Sequence, residues 1–98
     1  MRPVKVTVGL ALLAIATFST YAIANSSYKV SFFENGRWKG DATVYDSAWG
    51  QCTIQVYFCP WNNMFYACAD SQTKALEARN KGWDYKVTGP TGEYCRNS

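Results

Sequence analysis

Four cysteines, seven carboxylates and no histidine make up the reactive inventory of this 98-residue chain. Without histidine there is no general base of the usual kind for a Ser or Cys nucleophile, and no imidazole ligand for zinc. What remains is carboxylate chemistry, as in glycoside cleavage by two acids. Glu34, Asp41, Asp46, Asp70, Glu77, Asp84 and Glu93 are the available groups. Each sits where a turn residue, a helix cap or a solvated strand position is expected, so nothing marks a pair, and the expectation is a protein that is not an enzyme.

Cys52, Cys59, Cys68 and Cys95 are separated by six, eight and twenty-six residues, which leaves no Cys-x-x-Cys unit for a metal or a redox centre. An even number of cysteines in an exported chain reads instead as two disulfides, with no metal and no cofactor expected. If residues 52–59 are extended, Cys52 and Cys59 lie about 23 Å apart, beyond the reach of a bridge. Two pairings then stand: Cys52–Cys68 with Cys59–Cys95, or Cys52–Cys95 with Cys59–Cys68.

Binding chemistry is better represented, because the chain has four Trp, seven Tyr and five Phe. Phe32, Trp38, Phe58, Trp83 and Tyr85 fall at alternating strand positions and are expected in the core. Trp49, in Ser47-Ala48-Trp49-Gly50, and Trp61, in Pro60-Trp61-Asn62-Asn63, fall in predicted turns. There each ring either folds back as a lid over the core or stands exposed, as a protein hot spot or a stacking platform for a sugar. On an ideal strand the two would be roughly 35 to 40 Å apart, so at most one anchors a site. Trp61 is the favoured anchor, with Asn62 and Asn63 as hydrogen-bonding neighbours.

The elements that must position these residues begin after a leader. Arg2 and Lys5 precede an uncharged apolar stretch over residues 6–18, and Ala22-Ile23-Ala24 presents small residues at the first and third positions. This is the layout of a signal peptide cut after Ala24, with residues 25–98 as a single secreted, extracellular domain and no membrane association once the signal is gone. Residues 25–98 carry eight basic and seven acidic side chains, a net charge of +1 with no basic run, which argues against nucleic acid. Asn25-Ser26-Ser27 is a glycosylation sequon at the new N-terminus.

Residues 28–44 read as a hairpin with Glu34-Asn35-Gly36 as a three-residue loop, pairing Phe32 with Trp38, Val30 with Gly40 and Tyr28 with Ala42. The alternative two-residue Asn35-Gly36 loop sets Val30 against Asp41 and mixes the faces. Strict alternation over 52–58, a break at 60–63, and a partner strand over 64–69 make a second hairpin. Asp70 or Ser71 caps a helix ending at Gly82, and strands over 83–88 and 93–96 close the chain. The order β-β-β-β-α-β-β predicts a mainly β (α+β) fold: an antiparallel sandwich or rolled sheet of about six strands with one short helix, stapled by two disulfides.

In a signal ending at Ala22-Ile23-Ala24, a first hairpin through Val30 and Gly36 and late strands closed by Cys95, the chain resembles small secreted fungal effectors. The nearest likeness is to the disulfide-tied β-sandwich of the MAX effectors, a likeness of architecture rather than motif, from which the helix ending near Lys81 departs. The resemblance implies docking on a host protein without catalysis, and no binding residue follows from it. The sequence therefore leads to a secreted binding protein of the effector, toxin or inhibitor type with a protein partner. A small carbohydrate-binding or cell-wall-associated module with a glycan partner is the alternative.

Overall fold

A computed structural model describes residues 25–97, so the expected leader and its cleavage site lie outside the described residues. The elements are β1 (Ser27–Glu34), β2 (Arg37–Tyr45), β3 (Ile54–Phe58), β4 (Asn63–Ala67), α1 (Ala69–Lys81), β5 (Asp84–Gly89) and β6 (Gly92–Arg96), in the predicted order. All six strands belong to one antiparallel sheet ordered β3-β4-β2-β1-β5-β6. The sheet is rolled rather than flat. Its outermost strands, β3 and β6, are joined by the Cys59–Cys95 disulfide, and Tyr94 of β6 touches both Tyr28 of β1 and Phe65 of β4.

The alternating apolar positions fill the interior of the roll. Val30, Phe32, Val44, Val56, Phe58, Phe65, Tyr85 and Val87 are buried there, and α1 adds Ala75 and Ala78. Helix α1 packs against β2, β3 and β4. It stops at Gly82, whose φ of 71° is the left-handed conformation that lets its N–H turn back onto the last turn of the helix. Beyond it Trp83 is buried under the Lys39, Lys74 and Lys81 side chains, whose ammonium nitrogens lie 5.4–5.6 Å from the ring centroid. The aliphatic stems of such residues cover apolar surface while the charges stay wet.

Two local expectations are corrected. The first hairpin turns through Asn35 and Gly36 alone, with Glu34 opposite Arg37, because Asn35 (φ 52°) and Gly36 (φ 79°) both take the left-handed conformation of a type I′ turn. The mixing of faces that this loop implies does not spread, since Lys39 is left unpaired as a bulge and the register advances by one. Val30 then faces Ala42, Phe32 faces Gly40 and Tyr28 faces Val44. Trp38, before the bulge, is placed opposite Phe33 on the outer face, 63% exposed, with its indole N–H donating to Asp41 Oδ1 at 2.8 Å. The expected core position for Trp38 is thereby overturned.

The helix also starts earlier than Asp70 or Ser71 would set it. Cys68 occupies the cap position without a side-chain cap bond, and the Gln72 N–H closes the first turn on the Cys68 carbonyl. Cys68 is bonded to Cys52, so a covalent tie fixes the point at which β4 becomes helix. Asp70 falls in the first turn, where its charge suits the helix N-terminus.

Of the two disulfide pairings open to the sequence, the structure has Cys52–Cys68 and Cys59–Cys95, and it leaves no free cysteine.

Candidate functional site

Where Val56, Phe58, Phe65, Ala67, Ala42 and Val44 point inward, strand alternation sends Gln55, Tyr57, Met64, Tyr66, Thr43 and Tyr45 outward. These six sit on three adjacent strands. Tyr66 is the cross-strand partner of both Gln55 and Tyr45, and Tyr57 is the partner of Met64. At strand spacings of about 4.8 Å across and 6.6 Å between same-face residues, the rows make one continuous surface. None of the six is charged. The rest of the outer face differs: on β1, β5, β6 and the first half of β2 it carries Lys29, Asp41, Asp84, Lys86, Glu93 and Arg96.

Trp49 extends the uncharged surface past the end of β2. Its ring stands edge-on to Tyr45 with centroids 5.6 Å apart and planes at 85°. The turn that carries it is held from both sides: the Cys52 N–H donates to the Trp49 carbonyl and the Trp49 N–H to the Cys52 carbonyl. Gly50 supplies the left-handed residue in between (φ 56°). Cys52 is in turn bonded to Cys68 at the start of α1. Trp49 is thus an exposed ring, at 49% of its surface, on a pre-organised support.

Trp61, the favoured anchor on sequence grounds, is placed otherwise. Its ring is half-buried, 4.9 Å from Phe58 and 5.0 Å from Tyr85, with the Arg79 guanidinium carbon 5.3 Å from its centroid. The loop folds back because the Tyr85 phenol oxygen reaches it from inside, accepting the backbone N–H groups of Cys59, at 2.6 Å, and Trp61. Trp61 closes one end of the core. Asn62 and Asn63 are exposed at the tip of the β3–β4 hairpin, away from Trp49, so the structure does not bring the four residues into one patch. It sets Trp49 against Tyr45 instead, at the end of the row that runs through Tyr66 to Tyr57 and Met64. Their signal in the sequence is an apolar or aromatic residue at outward positions, where a solvated sheet normally shows charge.

Burial, its largest cause, pushes the Tyr85 phenol above the usual tyrosine range, while the two N–H bonds pull it down. A group whose folded pKa is raised contributes stability that is complete below its unfolded pKa and is lost as pH rises through the folded one. We therefore expect alkaline unfolding to steepen above pH about 10. Tyr28, also raised, chiefly by burial, adds to the same slope. Melting curves across this range should fall less steeply in Tyr85→Phe, and equal slopes would show that Tyr85 is not titrating from the buried state.

A hollow of about 330 Å3 beside Tyr45 is lined by Asp41, Thr43, Asp70 and Ser71. Its carboxylates are already engaged, Asp41 by the Trp38 indole and Asp70 by the Ser71 N–H. Among the described residues no group of three or more Cys, Asp or Glu is placed to hold a metal ion, and no helix is long and apolar enough to cross a membrane. Comparison with protein-family models, with curated proteins and with solved structures finds no match to this chain. The class that fold and surface define is a small, mainly β, disulfide-stapled domain with an uncharged aromatic face.

Proposed function

We propose that this chain is a secreted binding protein of the effector, toxin or inhibitor type. It docks on a protein through the face formed by Trp49, Tyr45, Tyr66, Tyr57 and Met64, without catalysing a reaction. The observation that carries this reading is the composition of that face. Protein interfaces are enriched in Trp, Tyr and Met and depleted of charge at their centre, and exposed aromatic anchors on rigid supports dominate their energetics. Two disulfides fit an extracellular setting, where such bridges persist. The 85° angle between the Trp49 and Tyr45 rings offers no shared flat platform for a sugar chain, which disfavours the carbohydrate-binding alternative.

Trp49→Ala should weaken partner binding by more than about 2 kcal/mol, roughly thirtyfold in affinity, while leaving the melting temperature within about 2 °C of the parent. Affinity capture with the mature protein supplies the partner, and titration calorimetry of both proteins measures the change. Unchanged affinity in Trp49→Ala rejects the face as the site. Retention of the mature protein on chitin or glucan, lost in Trp49→Ala, replaces the protein partner with a glycan.

A further inference from the structure

Helix α1 has one large aliphatic residue, Leu76, and it does not serve the core. Its side chain is 49% exposed while the buried helical positions are the small Ala75 and Ala78. Leu76 instead lines a groove between α1 and β3, with Val56, Ala75 and the Trp61 ring as the other apolar walls. The groove holds about 70 Å3. Small-molecule sites run from roughly 300 Å3, so this one suits a single side chain rather than a free ligand.

The groove has one charged residue, Arg79, whose guanidinium carbon lies 5.3 Å from the centroid of the Trp61 ring. The other two cations of the helix share one carboxylate: Glu77 lies 3.6 Å from Lys74 and 3.4 Å from Lys81. Among the described residues no carboxylate pairs with Arg79. A guanidinium drawn toward an aromatic face by cation–π attraction keeps N–H donors free at its rim, and such donors receive a carboxylate through two hydrogen bonds. Gln55 and Tyr57 belong both to this groove and to the uncharged face, so the two surfaces meet along β3.

We propose that the groove between β3 and α1 receives an aliphatic side chain of the protein partner, with a neighbouring Asp or Glu of that partner seated on Arg79. This rests on the docking reading above and adds to it the chemistry of the segment that is read: apolar and acidic residues side by side. Leu76, Val56 and Trp61 supply the apolar contact. Arg79 supplies the choice of charge.

The probe is a pair of short, end-blocked peptides, one alternating Leu with Glu and the other Leu with Lys, titrated into the 15N-labelled, oxidised mature protein. The Leu–Glu peptide should move the Leu76 amide, Arg79 Nε and Trp61 indole signals saturably. It should bind at least about tenfold more tightly than the Leu–Lys peptide, and Arg79→Glu should invert the preference. Should Arg79→Glu disturb the Trp61 packing, Leu76→Gln, at an exposed position, should weaken the Leu–Glu peptide several-fold with no change in melting temperature. Equal response to the two peptides, no saturable shift, or binding of the Leu–Glu peptide unaltered by both substitutions overturns the proposal. Trp49→Ala separates this from the docking reading. If it loses the partner while the peptides fail to bind, the groove is wrong and the face stands. If it keeps the partner while the peptides bind as expected, the face is wrong and the groove stands.

Discussion

Replacing Cys59 and Cys95 together by alanine should remove about 4 kcal/mol of stability, more than the roughly 3 kcal/mol expected from the corresponding change at Cys52 and Cys68. The difference follows from the loops closed, with sequence separations of 36 and 16 residues, since a longer loop gains more freedom when its tie is cut. Topology adds to this, because Cys59–Cys95 joins the two outermost strands of the rolled sheet. A domain of this size has roughly 4 to 11 kcal/mol in total, so at the lower end of that range the loss of this bridge alone unfolds it at ambient temperature. Denaturant titrations of the two double variants measure the contrast. A Cys59/Cys95 variant as stable as the parent would mean that strand pairing and core packing alone keep the sheet rolled.

The second large effect is at Trp61. Trp61→Ala should cost about 2 to 3 kcal/mol, below the 3 to 5 of a fully buried tryptophan because the ring is half-exposed. In a domain of this length that lowers the melting temperature by roughly 10 to 20 °C. The ring lies against Phe58 and Tyr85, and its removal opens the end of the core over both. Trp49, half-exposed and set edge-on against the Tyr45 ring, should show no comparable loss. A melting temperature unchanged in Trp61→Ala would restore Trp61 as a free anchor rather than a lid.

The contrast between the two tryptophans shows what the sequence could and could not yield. They stand in turns on either side of β3, and turn chemistry alone does not say which ring folds inward. That is decided by Tyr85, twenty-four residues on, whose hydroxyl reaches the loop backbone. The interior face of β3 was legible, because Val56 and Phe58 alternate with Gln55 and Tyr57 without interruption. So was the end of the helix, because Gly82 is the residue that accepts the left-handed stop. The hairpin register was misread because two local rules conflict there: Asn35-Gly36 favours a two-residue turn, and the apolar pattern beyond it requires a different register. The bulge at Lys39 satisfies both, at the expense of turning Trp38 outward. The uncharged face was missed for a further reason. Tyr45 joins Tyr57, Met64 and Tyr66 only once β4 pairs with β2 as well as with β3, and no local pattern states the pairing of β4 with β2.

Hydroxyl-radical footprinting of the partner complex tests the docking face most directly, since Trp, Tyr and Met side chains react fastest and the protein carries an internal control. Trp49, Tyr57 and Met64 are exposed on the proposed face, while Trp38, the most exposed of these rings, lies seven residues along β2 from Tyr45, about 23 Å away. We expect strong protection of Trp49, Tyr57 and Met64 in the complex, with Trp38 oxidised as fast as in the free protein. Protection of Trp38 with unchanged oxidation of the other three would contradict the account.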